Sequence, residues 1–304
     1  MTHLAVVTGA SRGIGRAMAR RLAAEGIAVA AVSRTLHPGG ATLAGSLEET
    51  VQIINDEGGQ ARSFVADLGR PDLDRFALVA EIENAFGLGV DILVNNAAAE
   101  RHHGASFLDI DRAAFHDSVE TNLWNTWDLM KAVVPSMRER GSGWVVNLSS
   151  RMAGPRVGPP YAAHPLLGSV LYGATKAAID RLSTGAAMEL YDDGIAVNTL
   201  APNRGVATEN AQRAVPGWPS EPEETMAEAN LLLCTGDPAV LTGRVAFSLG
   251  LIKEFRRAVR TLDGQALVAG WQPDDIDPAS LLPDHLVFNE APPVPASLLE
   301  RSMG

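Results

Sequence analysis

The stretch LAVVTGASRGIG, residues 4–15, decides the fold. Its first four residues are apolar and read as a short buried strand, and residues 16–25 carry apolar side chains at helical spacing. Between them stands a turn with glycines at 9, 13 and 15. Strand, glycine turn and helix together bring backbone N–H groups and a helix N-terminus against a diphosphate, and the glycines let the backbone approach it with no side chain between. The spacing is GxxxGxG, whereas the common dinucleotide turn is GxGxxG, so an ordinary tight turn remains a competing reading of these residues.

The chain beyond the turn repeats the same alternation. Residues 27–32 form a second apolar run that ends in Ser33-Arg34. An NAD-selective site places a carboxylate there for the adenosine ribose, whereas a guanidinium matches a 2′-phosphate, and Arg12 offers a second positive group. NADP(H) is therefore favoured, NAD(H) stays possible, and the alternative is that both arginines face solvent. A helix at 47–57, a strand at 62–66 ending in Asp67-Leu68, a helix at 72–86 and a strand at 91–94 running into Asn95-Asn96-Ala97-Ala98 follow.

Residues 113–140 read as one long amphipathic helix with Asn122 in its first half and a bend at Pro135. Residues 144–148 give a fifth strand leading to Ser149-Ser150, and a sixth at 195–200 leads to Ala201-Pro202-Asn203. A helix at 223–234 and a seventh strand at 244–249 close the pattern. Continuous apolar strands alternating with helices predict an α/β, Rossmann-like doubly wound fold: a seven-stranded, mostly parallel sheet with helices on both faces. Residues 1–251 are expected to form a single domain, with 155–171 as a Pro- and Gly-rich inserted loop before the helix that carries residues 172–176. Residues 252–304 read as a short basic helix from Lys253 followed by an extended tail, compatible with wrapping the body, reaching a partner subunit or staying partly disordered.

Composition narrows the function classes. The formal net charge of -11 argues against a nucleic-acid or anionic-membrane binder. A single cysteine, Cys234, excludes an internal disulfide or a Cys-based zinc site. His102-His103 lack carboxylate or Cys companions at ligand spacing and read as loop residues, so no metal is expected. The N-terminus shows no leader pattern, and no apolar run reaches the roughly eighteen residues of a membrane span. A soluble, cytoplasmic enzyme is the expectation.

The chemistry centres on YGATK, residues 172–176, at the start of a helical run. Tyr172 and Lys176 stand four apart on one helix face, where the ammonium favours the ionised phenol and brings its proton exchange toward neutrality. By itself the pattern is weak, because such a pair is more often a solvated surface contact.

Taken together, the motifs resemble the short-chain dehydrogenase/reductase family from Leu4 to about Leu251. Residues 8–15 match its TGxxxGxG turn in full, and Asn95-Asn96-Ala97 match its NNAG segment up to Ala98, which replaces the glycine. The resemblance implies a dinucleotide held by Gly9, Ser11, Arg12, Gly13, Ile14, Gly15, Ser33, Arg34, Asp67, Leu68, Asn95, Ala97, Tyr172, Lys176, Pro202 and Thr208. It also implies a catalytic tetrad: Asn122 to hold a relay water, Ser150 to hydrogen-bond the substrate oxygen, Tyr172 as general acid/base, and Lys176 to hold the nicotinamide ribose.

The implied function is interconversion of a carbonyl and a secondary alcohol on a small molecule by a homodimer or homotetramer. The alternatives are a silent dinucleotide-binding regulator or scaffold, or a non-redox member such as a dehydratase or epimerase. Four departures stand out. The inserted loop separates Ser150 from Tyr172 and holds a second tyrosine, Tyr161, followed four positions on by Pro165 where Lys is needed. Ser149 is a fallback for Ser150. Asn203 replaces the glycine that usually follows Pro202, and Thr208 stands one place late. Trp218 and Trp271 fit either a substrate cover or ordinary packing.

Overall fold

The computed structural model describes residues 3–40, 43–99, 105–155, 170–209 and 220–281. Tyr161, Pro165, His102, His103, Trp218, most of the inserted loop and residues 282–304 lie outside the described residues.

The chain begins with β1 (Leu4–Thr8), α1 (Gly13–Ala24), β2 (Ala28–Ser33), α2 (Leu47–Asp56), β3 (Ala61–Val65), α3 (Arg75–Phe86) and β4 (Ile92–Asn95). It continues through α4 (Arg112–Val119), a π-helical turn (Glu120–Trp124), α5 (Asn125–Arg140), β5 (Gly143–Leu148), α6 (Val170–Glu189) and β6 (Ile195–Ala201). A two-stranded ribbon, β7 (Gly205–Val206) with β8 (Ser220–Glu221), precedes α7 (Glu223–Thr235), β9 (Val245–Phe247) and α8 (Ser248–Glu254).

Seven strands form one sheet in the order β3-β2-β1-β4-β5-β6-β9, parallel at every pairing. Successive strand residues point to opposite faces, so each strand feeds two cores. Ala5, Val7, Val29 and Ala31 pack with Met18 and Leu22 of α1 on one face. Val6, Ala28, Ala30 and Leu93 pack with Ile82 of α3 and Val133 of α5 on the other. The strand order reverses between β1 and β4, and the crevice beyond the carboxyl ends of such strands is where this architecture binds ligands.

Three expectations change in detail. The long helix is interrupted at the π turn carrying Asn122, while α5 runs through Pro135. The seventh strand is only Val245–Phe247, because the backbone enters α8 at Ser248. The basic helix expected from Lys253 is replaced by the end of α8 at Glu254, after which Arg256 takes a left-handed conformation (φ 48°).

Beyond it, Val259 and Ile276 are buried against Leu249 and Ile252. The Lys253 ammonium donates to the carbonyls of Pro273 (3.2 Å) and Ile276 (2.9 Å). The described part of the tail thus wraps the body.

Candidate active site

The glycine turn is built for close approach. Gly9 and Gly13 have φ of 67° and 52°, in the left-handed region that a side chain disfavours. A Cβ on Gly15 would lie 2.4 Å from the Gly9 carbonyl and 2.5 Å from Asn96 Nδ2. Asn96 holds the turn to β4: its Nδ2 donates to the Thr8 carbonyl (2.9 Å), while the Asn96 and Ala97 N–H groups both donate to Thr8 Oγ1 (3.0 Å each). No side chain caps α1, and no acidic residue stands in its first turn. The helix terminus and the glycine cradle therefore suit a diphosphate.

Ser11, Arg12 and Ile14 line this turn, and Thr208 reaches it from the other side, its Cγ2 lying 3.3 Å from where a Gly13 Cβ would stand. At the adenosine side, Ser33 ends β2 beside Val65 of β3, and the Ala66 N–H donates to the Ser33 carbonyl. Arg34 is exposed there, and Arg12 Nη2 donates to Gly45 O (2.9 Å) and Thr35 Oγ1 (3.4 Å). Asp67 Oδ1 accepts from Gly69 N (3.2 Å), which shapes the loop carrying Leu68.

The four tetrad candidates converge around the start of α6. Asn122 is buried in the π turn, its Oδ1 accepting from Ala99 N (2.8 Å) and its Nδ2 donating to Thr175 Oγ1 (3.1 Å). Thr175 in turn donates to the Tyr172 carbonyl (2.8 Å). Lys176 is 3% exposed, donates to the Leu148 carbonyl at the end of β5 (2.5 Å), and lies 5.6 Å from the centre of the Tyr172 ring. Ser150 caps the short 3-10 turn Arg151–Ala153, its Oγ accepting from Met152 N (3.2 Å). Gly173 lets α6 press onto that turn, since a Cβ there would be 2.6 Å from the Met152 carbonyl. Ser149, by contrast, is buried.

Several contributors were not evident from sequence. Asn95 Nδ2 donates to Asn147 Oδ1 (2.9 Å), and Asn147 Nδ2 to Ser183 Oγ (2.9 Å), which locks β4, β5 and α6 below the site. Beyond β6, the Asn203 side chain that replaces glycine is buried, and its Oδ1 accepts from Leu249 N (2.8 Å). Glu221, just before α7, is fully buried and accepts from Arg204 N, Thr225 Oγ1 and Ser248 Oγ at 3.0, 2.6 and 2.7 Å. The residue pattern gave one clue to the first pair, a polar Asn inside each of two apolar strands.

Burial pushes the Glu221 carboxyl above the ordinary glutamate value of 4.5, against the opposing hydrogen bonds of Ser248 and Thr225. A raised folded-state value means that the native protein holds this proton more tightly than the unfolded chain. Its stabilising contribution is complete below 4.5 and is lost as pH rises through the raised value. Relative to Glu221→Gln, wild-type stability should fall by about 1.4 kcal/mol per pH unit within that window and level off above it. Urea unfolding of both proteins across pH measures this, and parallel curves would refute it.

A family model for the short chain dehydrogenase matches residues 3–217. The chain belongs to this family. It is an NAD(P)-dependent oxidoreductase of the short-chain dehydrogenase/reductase class. Among relatives, it is 35% identical over 204 residues to a 3-oxoacyl-[acyl-carrier-protein] reductase, FabG, of Staphylococcus aureus, covering 66% of this chain and 74% of that one. It is 33% identical over 245 residues to human dehydrogenase/reductase SDR family member 4, covering 80% of each. A 3-oxoacyl (acyl-carrier-protein) reductase of Agrobacterium tumefaciens, crystallised with NADP bound, superposes with a TM-score of 0.68 at 28% identity, covering 81% of this chain and 92% of that one. Among the described residues, no helix is long and apolar enough to cross a membrane, and no group of three metal-ligating side chains occurs.

Proposed function

We propose that the chain is an NADP(H)-preferring oxidoreductase that interconverts a carbonyl and a secondary alcohol on a small molecule. The observation that carries this is the convergence of Asn122, Thr175, Tyr172 and Lys176 through contacts of 2.8–5.6 Å.

The dinucleotide, when bound, supplies or accepts the hydride at the carbon. In reduction Tyr172 gives its proton to the carbonyl oxygen, and Ser150 donates a hydrogen bond to the charge developing there. Lys176 places a positive charge beside the phenol, where it stabilises the charge left as the proton departs. It would also hold the nicotinamide ribose. Asn122 holds the relay that returns a proton to the site, and oxidation runs the same steps in reverse. Gly9, Gly13 and Gly15, with Ser11, Arg12 and Ile14, would hold the diphosphate; Ser33, Arg34, Asp67 and Leu68 would hold the adenosine; Asn95, Ala97, Pro202 and Thr208 would support the rest of the cofactor.

Residues 1–251 are read as one catalytic domain and the remainder as an appended tail. Exposed Phe115, Trp124 and Trp127 on the α4–α5 side favour a homodimer or homotetramer, and the cytoplasm is the proposed compartment.

Nicotinamide absorbance followed with NADPH and a panel of ketones, and with NADP and secondary alcohols, tests the reading. Failure to turn over any member would overturn it. Cofactor choice rests on Arg34 at the end of β2, where no carboxylate stands. Arg34→Asp should lower the preference for NADPH over NADH, measured as the ratio of kcat/KM values, on the order of tenfold or more. An unchanged ratio would place the 2′-phosphate elsewhere.

A further inference from the structure

Arg75 opens α3, far in sequence from the tetrad, yet it is 1% exposed. Each of its three guanidinium nitrogens has a hydrogen-bond partner. Nε donates to Asn125 Oδ1 (3.2 Å), just past the π turn, and Nη2 to Glu120 Oε1 (2.7 Å), the first residue of that turn. The same Nη2 also donates to the Leu68 carbonyl (2.9 Å), with the Arg70 carbonyl a longer shared acceptor (3.4 Å), and Nη1 donates to the Leu73 carbonyl (3.3 Å). One planar cation therefore bridges the loop after β3 and both ends of the turn that holds Asn122. A rigid fork of five donors suits this, whereas a lysine could satisfy only part of it.

A separate contact joins the same two segments. A Cβ on Gly69 would lie 2.8 Å from Thr121 Oγ1 and 3.5 Å from Asp67 Oδ1, so the residue preceding Asn122 sits directly over the Asp67 loop. A π turn is less favourable than an α-helical one and survives where surrounding contacts enforce it. Here those contacts come from the adenosine side of the site.

We propose that Arg75 is a positioning residue that couples the adenosine end of the dinucleotide site to the proton relay, by holding the Asp67–Leu68 loop and the Asn122 turn in fixed register. The proposal rests on the functional reading above for the roles of Asp67 and Asn122. Its geometric half is independent of turnover.

The test uses the full chain carrying Arg75→Met, with Arg75→Lys and Glu120→Gln as milder variants should the first fail to fold. Three quantities are measured: affinity for 2′,5′-ADP by calorimetry, hydrogen exchange at the Ala99 amide that donates to Asn122, and kcat with NADPH. The folded variants should bind 2′,5′-ADP roughly fivefold or more weakly. They should also exchange the Ala99 amide faster and lose kcat by roughly tenfold to a hundredfold, as expected when a catalytic group shifts by about an ångström. Asn122→Ala, which leaves the guanidinium in place, should lower kcat without weakening 2′,5′-ADP.

Wild-type fragment affinity and wild-type Ala99 protection in folded Arg75 variants would overturn the coupling, whatever happens to kcat. Absence of any ketone reduction by the wild-type protein would instead count against the functional reading, and the exchange measurement would still decide whether Arg75 holds the Asn122 turn.

Discussion

Tyr172→Phe should lower NADPH-dependent ketone reduction by about 10²–10⁴-fold, the range that general acid–base catalysis contributes, while leaving NADPH affinity nearly unchanged. The substitution removes one hydroxyl and little else. The phenylalanine ring keeps its place beside the Lys176 ammonium, which lies 5.6 Å from the ring centre. The backbone carbonyl of residue 172 still accepts from Thr175, so the link to Asn122 survives. Lys176 keeps its hydrogen bond to Leu148. A fall in kcat with constant cofactor affinity, read by stopped-flow absorbance and nicotinamide fluorescence, would therefore report the lost proton rather than a disturbed fold. Undiminished turnover in this variant would remove Tyr172 from the mechanism and leave the glycine cradle as a binding site whose chemistry lies elsewhere.

The features that were legible in sequence are those set by local chemistry. Residues 4–15 could be read because a buried parallel strand is a continuous apolar run and a ligand-facing turn needs glycine; the φ of Gly9 and the close approach of Gly15 to Gly9 O follow from that need. The tetrad candidates Asn122, Ser150, Tyr172 and Lys176 came instead from the family resemblance, by their places in its motifs.

What escaped depends on distant partners. The π turn at Glu120–Trp124 is enforced by Arg75, 45 residues from Glu120 in sequence, so no helical periodicity announces it. Glu221 resembles any surface acid until Thr225 and Ser248 close over it. The run after Lys253 has the composition of a basic helix, yet Arg257 is recruited by Glu228 at 3.0 Å and Val259 by the Leu249 cluster, which turns the backbone away from helix.

That recruitment centres on a buried ion group whose removal should carry a large stability cost. Glu228 of α7 is fully buried and accepts from Arg21 Nε of α1 at 2.6 Å, with the Arg21 side chain itself 1% exposed. Arg257 of the tail approaches the other oxygen and is about one third exposed. Glu228→Gln keeps the shape and one acceptor oxygen but removes the negative charge between two guanidinium groups. Breaking a buried pair from one side typically costs about 3–5 kcal/mol, because the remaining charge stays desolvated.

Arg21 retains Glu25, whose side chain is 47% exposed, so the loss should fall toward the lower end of that range. Denaturant unfolding measures it. Limited proteolysis should show cleavage within residues 255–281 increasing before the sheet opens, since Arg257 loses its anchor first. The double replacement Arg21→Met with Glu228→Leu separates charge from volume: it removes both desolvated ions and lets Arg257 turn to water, so much of the stability should return. A double variant as unstable as Glu228→Gln would instead mean that the paired charges stabilise α1 against α7 beyond what apolar side chains of similar volume supply.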